Sequence, residues 1–564
     1  MGQITGGQLA AEALEKQGVS YIFTLSGGHI TPIYQYLVNT SITLFDTRHE
    51  QSALFMAEAW GKMTRKPGVA MVTAGPGFTN ALTGIASASF SNTPLVLIAG
   101  SVGLNNREKL DLQDMRQAAT IEPMVKKTFV CHKADRVPEY VDMAFRTAAS
   151  GRPGPVYLEL PVDVLNASVD ETAVKRFNTT IMKHPVDLDG AARLMDMLEA
   201  AEKPTLVAGA GAWNSDAGPE LTAFIETAGI PILTATSGRG VVPDTHPLCF
   251  ESSLAIRPGA CFSALVEADL VVFLGTRMSL YYLFGDIINP AAKLVHVDIM
   301  AEEIGRNRSV DLGIVSDIKA LAAECTRIIG RRGNSGALQE KFSPWIDHLK
   351  QGDTQSKEFA NLTWKSNNTP IHPMRLMREI DDFMNREDDI VVADGGDTTT
   401  WMGMTRTIRK PGHYLDYGLY GSLGVGLPYA NAAKLLYPEK RVLLVNGDGS
   451  LGFNFMEFET ALRKGLNIVV VISNDLGWGM IRHSQEIRLG KAIETGTWIG
   501  KVDYHKMVEG LGGKGFYVEK PEDIRPALEK AFTCTGPVCI NVMTDPTTVS
   551  PGSQALAGIG GYKA

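Results

Sequence analysis

Two acidic residues follow two successive apolar stretches near the end of the chain. In VNGDGSLGFNFMEFETALRKGLNIVVVISND (445–475), Asp448 lies between two glycines, and Asp475 closes the second apolar stretch. The segment between them has room for one helix and one returning parallel strand, which would bring both carboxylates to the same sheet edge. Such oxygen ligands suit Mg²⁺ or Ca²⁺, and Mg²⁺ commonly shares its shell with phosphate oxygens. The spacing predicts a metal and phosphate site; two ordinary solvated loops are the alternative.

Short apolar strands alternate with helical segments along the whole chain, which is typical of parallel sheets covered on both faces. Strands are predicted at YIFTL, ITLFDT, GVAMVTAG, PLVLIAG and GPVYLELPVDVL in the first third, at PTLVAGAGA, IPILTAT, DLVVFLG and KLVHVDI in the middle, and at DIVVADGG, RVLLVNGDG, NIVVVISND and PVCINVMTD in the last third. Polar stretches near 166–186 and 331–345 indicate boundaries. We expect an α/β fold of three doubly wound parallel-sheet domains at 1–180, 187–335 and 346–545, followed by a tail at 546–564.

Composition narrows the functional class. The chain has 564 residues, of which 44% are hydrophobic and 21% charged, and its formal net charge is -8. This mild charge gives no reason to expect nucleic acid or an anionic membrane as a partner. The six scattered cysteines contain no CxxC pair, which favours a reducing compartment and argues against a zinc site. The N-terminal region lacks a signal-peptide pattern, and no stretch approaches the ~20 apolar residues of a membrane helix. We therefore expect a cytoplasmic protein.

The GDGS…ND pattern resembles the cofactor motif of thiamine diphosphate enzymes, usually written as GDG followed by NN. That resemblance implies Mg²⁺ held by Asp448, Asp475 and Gly477. It also implies that a further set of residues binds the cofactor, namely Gly449, Ser450, Trp478, Gly479 and Met480. Asp475 stands where the family usually has asparagine. Its extra negative charge is tolerable beside a diphosphate only if the metal lies between them.

The resemblance also requires a glutamate in the N-terminal domain to activate the cofactor. FDTRHEQSALFMAEAWGKM supplies Glu50, directly after a predicted strand and at the start of a very apolar helix. An ordinary first-turn glutamate, favoured by the helix dipole, is the alternative. TAGPGFTN (73–80) resembles the turn that lies over the aminopyrimidine ring, which adds Thr73, Gly75 and Asn80 to the cofactor-binding residues.

Two further segments resemble parts of the family's cofactor site. ADGGDTTTW (393–401) matches the first diphosphate loop, where Gly396 and Asp397 offer backbone donors and the acidic side chain should point away from phosphate. YGLYGSLGVGLP (417–428) matches the segment beneath the cofactor. There the carbonyl of Gly421 would accept a hydrogen bond from the cofactor's amino group, and Leu423 would hold its two rings in a V shape. A simple core role is the alternative for Leu423.

Over the whole chain, benzaldehyde lyases and 2-hydroxyacyl-CoA lyases are the members that this sequence resembles most. GGHI (27–30) and LQ (112–113) match motifs that face the substrate, which implies catalytic roles for His29 and Gln113. A turn histidine and a surface glutamine are the alternatives. Met480 replaces the alanine of benzaldehyde lyases, which should narrow the pocket and favour smaller aldehydes or oxoacids.

The resemblance implies a thiamine diphosphate- and Mg²⁺-dependent carbon–carbon lyase or carboligase, acting on 2-hydroxy ketones, aldehydes or 2-hydroxyacyl-CoA. Acetolactate synthase, or another carboligase that decarboxylates 2-oxoacids, is the alternative, and a regulatory subunit without activity is a third reading. In the family, the cofactor lies between domains of two subunits, so a homodimer or homotetramer is expected. Motifs such as AGAGAW leave open whether the central domain binds FAD, an adenine nucleotide or nothing.

Overall fold

The protein is an α/β molecule built on three six-stranded sheets, in each of which all neighbouring strands run parallel. The computed structural model describes residues 2–177, 179, 185–252 and 259–558. The sheets follow one another along the chain, which confirms the predicted fold class of three parallel-sheet domains. Domain boundaries remain a sequence-based prediction. Within the described ranges, no helix is both long and apolar enough to cross a membrane.

The first sheet has the strand order β3-β2-β4-β5-β7-β6, and strands β1 and β8 form a separate antiparallel pair. The strands of this region are β1 (Gln3–Thr5), β2 (Tyr21–Thr24), β3 (Thr43–Asp46), β4 (Gly68–Val72), β5 (Leu95–Ser101), β6 (Lys127–Val130), β7 (Pro155–Pro161) and β8 (Ser168–Asp170). Its helices are α1 (Gly6–Lys16), α2 (Thr31–Leu37), α3 (Glu50–Thr64), α4 (Pro76–Phe90), α5 (Gln117–Ile121), α6 (Val137–Ala149) and α7 (Val162–Asn166). Strands β4, β5 and β7 are buried along their whole length, as expected for strands covered on both faces.

The second sheet has the order β11-β10-β9-β12-β13-β14. Its strands are β9 (Pro204–Ala208), β10 (Ile232–Thr234), β11 (Cys249–Ser252), β12 (Leu270–Leu274), β13 (Lys293–Asp298) and β14 (Leu312–Val315). The helices of this region are α8 (Leu188–Ala200), α9 (Ala210–Asn214), α10 (Gly218–Ala228), α11 (Ser263–Val266) and α12 (Ile318–Arg332).

The third sheet has the order β16-β15-β17-β18-β20-β19. Its strands are β15 (Ile390–Asp394), β16 (Tyr414–Leu415), β17 (Val442–Gly447), β18 (Val469–Asn474), β19 (Lys514–Val518) and β20 (Val538–Met543). The helices from position 335 onward are α13 (Ser335–Trp364), α14 (Pro373–Phe383), α15 (Gly396–Thr405), α16 (Gly426–Leu436), α17 (Asp448–Leu451), α18 (Glu457–Arg463), α19 (Gly479–Leu489), α20 (Glu494–Thr497), α21 (Tyr504–Leu511), α22 (Ile524–Ala531) and α23 (Pro551–Gly558).

Two polar stretches that were interpreted as boundaries contain regular structure. Helix α13 begins at Ser335, inside the stretch 331–345, and continues for 30 residues with Pro344 in its interior. Leu338, Phe342, Trp345 and Leu349 recur at helical spacing and are buried, so an apolar stripe fixes this helix despite its polar composition. In the stretch 166–186, strand β8 pairs with β1. Positions 178 and 180–184 of that stretch lie outside the described residues.

Compactness divides the chain into two units. The first contains the described residues of 1–182 together with 417–438 and 454–466, so helices α16 and α18 belong with the first sheet. Helix α3 packs against α4 and α16 within this unit, which explains why nearly all of α3 is buried. The second unit contains the second and third sheets and the described part of the tail.

Candidate active site

Glu50 is the first residue of α3 and follows β3. Its preceding residue, His49, caps the helix by accepting the backbone N–H of Gln51 at Nδ1, 3.1 Å away. Glu50 is only 6% exposed, and its Oε2 accepts a hydrogen bond from Nδ2 of Asn80 at 3.0 Å. A side chain at Gly77 would approach Oε1 to 3.3 Å, so the glycine leaves this oxygen clear. The arrangement presents a buried carboxyl group at the carboxyl edge of the first sheet, with Asn80 as its partner.

The turn 73–80 is supported by Gln117, a residue that the sequence patterns did not indicate. Gly75 adopts a φ of +59°, and its N–H donates to Oε1 of Gln117 at 2.9 Å. Nε2 of Gln117 donates to the carbonyl of Gly100 at 3.1 Å and to the hydroxyl of Tyr157 at 2.9 Å. Gln117 is 1% exposed. This buried side chain therefore fixes the left-handed backbone of the turn. No spacing rule singles it out, because it sits in a short helix of five residues.

The polar chain beneath the turn continues to the surface. The hydroxyl of Tyr157 donates to Oε2 of Glu159 at 3.0 Å, and Glu159 also forms an ion pair with Arg107. Burial, with the nearby charge of Glu159, raises the pKa of Tyr157 well above its ordinary value, so its hydroxyl stays protonated. Hydrogen bonds and an ion pair thus connect Gly75 to Arg107 through Gln117, Tyr157 and Glu159.

His29 and Gln113 lie beside the same turn. Nδ1 of His29 is 3.3 Å from the hydroxyl of Thr73, which is itself 8% exposed. A Cβ placed on Gly75 would lie 2.8 Å from the Cβ of Gln113, whose own φ is +68°. Burial lowers the pKa of His29, and the charge of Asp111 only partly opposes this. His29 therefore favours its neutral form near pH 7, in which the ring can accept or donate a proton. The structure brings His29, Thr73, Gly75 and Gln113 together.

The segment that carries Gly421 and Leu423 belongs to the same unit as Glu50. Gly421 is exposed with a φ of +71°, and Leu423 is half-buried. Asn454 connects this segment to α3, because its Nδ2 donates to the carbonyl of Gly424 at 2.7 Å and its Oδ1 accepts from Ser52 at 3.0 Å. Helix α3 and the 421–424 turn are therefore held in one hydrogen-bonded arrangement.

Asp448 and Asp475 lie at the carboxyl ends of the neighbouring strands β17 and β18. Asp448 begins α17 and is 2% exposed, and its Oδ2 is buried without a hydrogen-bond partner among the described residues. Burial, followed by the charge of Asp475, raises the pKa of Asp448 well above its ordinary value. Burial likewise raises the pKa of Asp475. Two carboxyl groups within electrostatic reach of each other, one buried and one half-buried, favour a bound cation between them.

The residues on either side of Asp475 are held by contacts within the protein. The preceding residue, Asn474, is fully buried and uses its amide within the protein, donating to Oδ1 of Asn541 at 3.0 Å and accepting from the N–H of Leu476 at 3.1 Å. Leu476 has a φ of +66°, an uncommon conformation for a residue with a side chain. Gly477 is packed tightly, since a Cβ there would lie 2.4 Å from the carbonyl of Thr497. Asp475 interacts with Asp448, so its carboxylate could hold a metal together with that residue.

Three loops converge at this edge, and glycines occur where they touch. A Cβ on Gly395 would come within 3.0 Å of the backbone N of Gly447, and one on Gly396 within 2.8 Å of the sulfur of Met480. A Cβ on Gly449 would lie 2.8 Å from the ring of Trp478. A Cβ on Gly479 would lie 2.1 Å from Oδ2 of Asp475. The glycines of the motifs therefore allow the loops after β15, β17 and β18 to approach each other closely.

The hydroxyl of Ser450 is hydrogen-bonded within its own loop. Its hydroxyl accepts from Nδ2 of Asn446 at 2.9 Å and donates to the carbonyl of Gly447 at 3.1 Å. The hydroxyl of Tyr504 supports the same loop by donating to the carbonyl of Asp448 at 3.3 Å. These contacts fix the backbone on which Asp448 stands.

The donor set of the carboxylate pair fits a magnesium ion. The pair supplies hard oxygen atoms, and one of them is buried and unpaired. Within the described residues, no group of three or more His, Cys, Asp or Glu side chains could hold a metal. A cation here would complete its shell with backbone oxygen, phosphate and water, as Mg²⁺ commonly does.

Asp397 turns its side chain toward the tail. Its Oδ1 accepts from the hydroxyls of Ser550, at 2.6 Å, and Ser553, and its Oδ2 lies 3.1 Å from Nδ1 of His483. The tail forms helix α23 up to Gly558. Positions 559–564 lie outside the described residues.

In the central region, the AGAGAW motif lies at the end of β9. The N–H of Gly211 donates to the carbonyl of Gly275 at 2.8 Å, and a Cβ on Gly211 would lie 2.7 Å from the Cα of Gly275. These glycines serve close packing between the ends of β9 and β12. Whether this domain binds FAD or an adenine nucleotide remains an open prediction.

Comparison with known proteins places these features in a family. Three family models match the chain: the thiamine pyrophosphate enzyme N-terminal TPP binding domain over 4–120, the central domain over 191–325 and the C-terminal TPP binding domain over 394–542. Thiamine pyrophosphate and thiamine diphosphate are the same cofactor. Glu50 and the turn 73–80 fall within the first match, and Asp448 and Asp475 within the third.

Curated relatives match almost the full length of the chain. A probable acetolactate synthase of Mycobacterium bovis is 33% identical over 98% of both chains. A 2-hydroxyacyl-CoA lyase of Arabidopsis thaliana is 30% identical over 96% of both chains. A 2-hydroxyacyl-CoA lyase 2 of Danio rerio is 30% identical over 98% of this chain and 93% of the relative. With three matching domain models and full-length relatives of this kind, the chain belongs to the thiamine pyrophosphate enzymes and is a thiamine diphosphate-dependent enzyme.

Proposed function

We propose that the protein is a thiamine diphosphate- and Mg²⁺-dependent carbon–carbon lyase or carboligase that acts on 2-hydroxy ketones, aldehydes or 2-hydroxyacyl-CoA. The observation that carries this proposal is the presence of both chemical halves of such a site. A buried Glu50 stands at the edge of the first sheet, and a carboxylate pair, buried Asp448 and half-buried Asp475, stands at the edge of the third.

The carboxylate pair would hold Mg²⁺ together with the carbonyl of Gly477, and the metal would anchor the diphosphate. Backbone N–H groups at Gly396, Asp397 and Gly449 would add donors, and the loop packing described above keeps these backbones close. Cofactor contacts would also come from Trp478, Gly479 and Met480 in the loop after β18. Ser450 would act by shaping the turn, because its hydroxyl is already hydrogen-bonded within it.

When bound, thiamine diphosphate would supply the carbon nucleophile for reaction at the substrate carbonyl. Glu50 would hold a proton at its carboxyl group against the cofactor's aminopyrimidine ring, and Asn80 would keep the carboxyl in place through its 3.0 Å hydrogen bond. Thr73 and Gly75 would form the turn over that ring, and Gly421 and Leu423 the segment beneath it. His29 would exchange a proton with the substrate hydroxyl, for which its neutral form is suited. Gln113 would hydrogen-bond a substrate oxygen.

Acetolactate synthase is the second candidate. The observation that favours it is the relative of that name, which is 33% identical to this chain. The relatives named 2-hydroxyacyl-CoA lyase favour the first candidate at 30% identity. Met480 packs against Gly396, where it would limit the space beside the cofactor and favour small carbonyl substrates in either reaction.

We further propose a cytoplasmic homodimer or homotetramer in which the two half-sites that complete one active site come from different subunits. A small-molecule substrate is its partner, and the net charge of -8 gives no support for nucleic acid.

The decisive experiment is a substrate screen with purified protein, thiamine diphosphate and MgCl₂. Pyruvate, acetoin, benzoin and a 2-hydroxyacyl-CoA are incubated separately, and aldehyde release and acetolactate formation are measured. We expect aldehyde release from a 2-hydroxy ketone or a hydroxyacyl-CoA. Acetolactate from pyruvate as the only product would favour the second candidate, and no turnover of any substrate class would contradict both.

A further inference from the structure

We propose that Asp397 is a positioning residue through which the C-terminal segment 546–558 fastens the cofactor loops, so that retention of thiamine diphosphate depends on two serines of the tail. This inference rests on the proposed function, because it concerns how the chain keeps its cofactor. It assigns a task to a carboxylate and a tail that the catalytic roles above do not use.

The carboxylate of Asp397 has a hydrogen-bond partner on each oxygen. Oδ1 accepts from the hydroxyls of Ser550 and Ser553, and Oδ2 lies 3.1 Å from Nδ1 of His483. Nε2 of His483 in turn lies 3.0 Å from the carbonyl of Pro546. Burial alone lowers the pKa of His483, but its hydrogen bonds to Asp397 and Pro546 outweigh this and raise it. A protonated ring, which donates on both sides, suits these two acceptors.

The tail is built into the second unit. Ser550 and Ser553 are fully buried, and the N–H of Ser553 donates to the hydroxyl of Ser550 at 2.9 Å. A Cβ on Gly552 would lie 2.7 Å from Cγ2 of Thr400, so the tail lies directly against α15. Arg482 also donates to the carbonyl of Pro546. Helices α15, α19 and α23 are thus joined around one carboxylate.

That carboxylate lies next to both cofactor loops. Asp397 is the second residue of α15, whose first turn belongs to the proposed diphosphate loop. A Cβ placed on Gly479 would be 3.2 Å from Oδ2 of Asp397 and 2.1 Å from Oδ2 of Asp475. A negative charge so close to a diphosphate disfavours binding unless it is held away and compensated. The two hydroxyls and His483 provide this compensation, and the tail contributes both hydroxyls.

Removing the hydroxyls with Ser550→Ala and Ser553→Ala leaves the Asp397 charge poorly compensated and free to turn toward the diphosphate. Replacing Asp397 by asparagine in the same background removes that charge. The triple variant should therefore keep the cofactor better than the double variant, an order that a merely structural role of the serines would not produce.

The test measures loss of thiamine diphosphate from the Mg²⁺-loaded full chain. Holoenzyme is diluted into cofactor-free buffer, separated by gel filtration at intervals, and its retained thiamine is determined by fluorescence after oxidation to thiochrome. We expect S550A/S553A to release the cofactor about 10-fold faster than wild type, consistent with losing hydrogen bonds to a charged group. Adding D397N should recover at least half of this change. T547A, which removes a hydroxyl of the same segment that donates to Asp545 rather than to Asp397, is the matched control and should behave as wild type.

Hydrogen exchange of the tail amides gives a second readout on the same samples. Faster exchange over 546–558 in S550A/S553A, with wild-type exchange elsewhere, is expected. Equal cofactor release by wild type and S550A/S553A, or a triple variant that releases as fast as the double, would overturn the inference and leave the proposed function standing. Wild type that retains no thiamine in the presence of Mg²⁺ would overturn the proposed function and the inference with it.

Discussion

The two half-sites differ in how their buried polar groups are satisfied. In the N-terminal half-site, Glu50 is paired with Asn80, and the turn at Gly75 is held by Gln117. In the C-terminal half-site, Asp448 keeps a buried oxygen without a hydrogen-bond partner among the described residues, and its charge faces that of Asp475. The polar groups of the first half-site are paired within the protein, whereas we propose that the second takes up a cation. Changes in the first should therefore lower activity or stability, and changes in the second should weaken ligand binding while relieving repulsion.

The largest effect is expected for Glu50→Gln. Glutamine preserves the size of the side chain and can still accept a hydrogen bond from Asn80, but it cannot hold a carboxyl proton against the cofactor. Activity should fall by about 10²- to 10⁴-fold, the usual contribution of a positioned acid or base. Steady-state assays measure the activity, and calorimetric titration of thiamine diphosphate should show that the cofactor still binds. Full activity of this variant would refute the role of Glu50.

Gln117→Leu should destabilise the protein itself. It removes the acceptor of the Gly75 N–H and the donor to the Gly100 carbonyl and the Tyr157 hydroxyl. An unsatisfied buried group such as the Gly75 N–H costs about 1–3 kcal/mol. Chemical denaturation measures the free energy of unfolding. Gln113→Leu is the matched control, because Gln113 is half-buried and should change stability much less. Equal losses in both variants would show that the Gln117 network is not what holds the turn.

Asp475→Asn should stabilise the metal-free protein, whereas Gln117→Leu should destabilise it. Asparagine is the residue that the family usually has at this position, and it removes one of two like charges that lie close together. We expect the free energy of unfolding of the metal-free variant to exceed that of wild type by roughly 1 kcal/mol or less after solvent screening. The variant should therefore unfold at a higher temperature. Mg²⁺ affinity should fall at the same time. Thermal unfolding with and without MgCl₂ checks both, and a destabilised metal-free variant would argue against repulsion between the pair.

The stability of the metal-free protein should depend on pH through the same two carboxyl groups. A carboxyl group whose pKa is raised in the folded state contributes stability that is fully present below its unfolded pKa of about 4, and that is lost as pH rises through its folded pKa. Burial raises the pKa of both Asp448 and Asp475. Metal-free wild type should therefore gain stability relative to Asp475→Asn as pH falls from about 8 to about 5. Saturating Mg²⁺ should shrink this difference, and a difference independent of pH would contradict it.

The sequence predicted the fold where strands are apolar throughout, and missed strands at the sheet margins. Strands β6, β11, β14, β16 and β19 were not predicted, and each lies at an edge of its sheet. Edge strands are only half-covered, so they lack the continuous apolar run of a central strand; β14, for example, alternates buried and exposed residues. Helix α13 was missed for a related reason, because Gly, Ser and Pro mask the apolar stripe that fixes it.

The candidate site shows a similar division. Asp448, Asp475 and Glu50 follow strands in motifs of recognisable spacing, so their positions could be predicted from sequence, while their roles stay proposals. Gln117 and the contact of Asp397 with Ser550 and Ser553 could not be predicted. Gln117 belongs to a short helix without a pattern, and Ser550 lies 153 positions from its partner. Such long-range polar contacts depend on how loops pack in three dimensions, which local spacing does not encode.

The claim that the carboxylate pair is completed by a cation can be tested most directly by calorimetric titration. Thiamine diphosphate is titrated into metal-free wild type and Asp448→Asn, with and without saturating MgCl₂. We predict that Mg²⁺ tightens cofactor binding to wild type strongly and to Asp448→Asn only weakly. Cofactor binding that is equally tight in all four titrations would show that the pair holds no metal and would contradict the account.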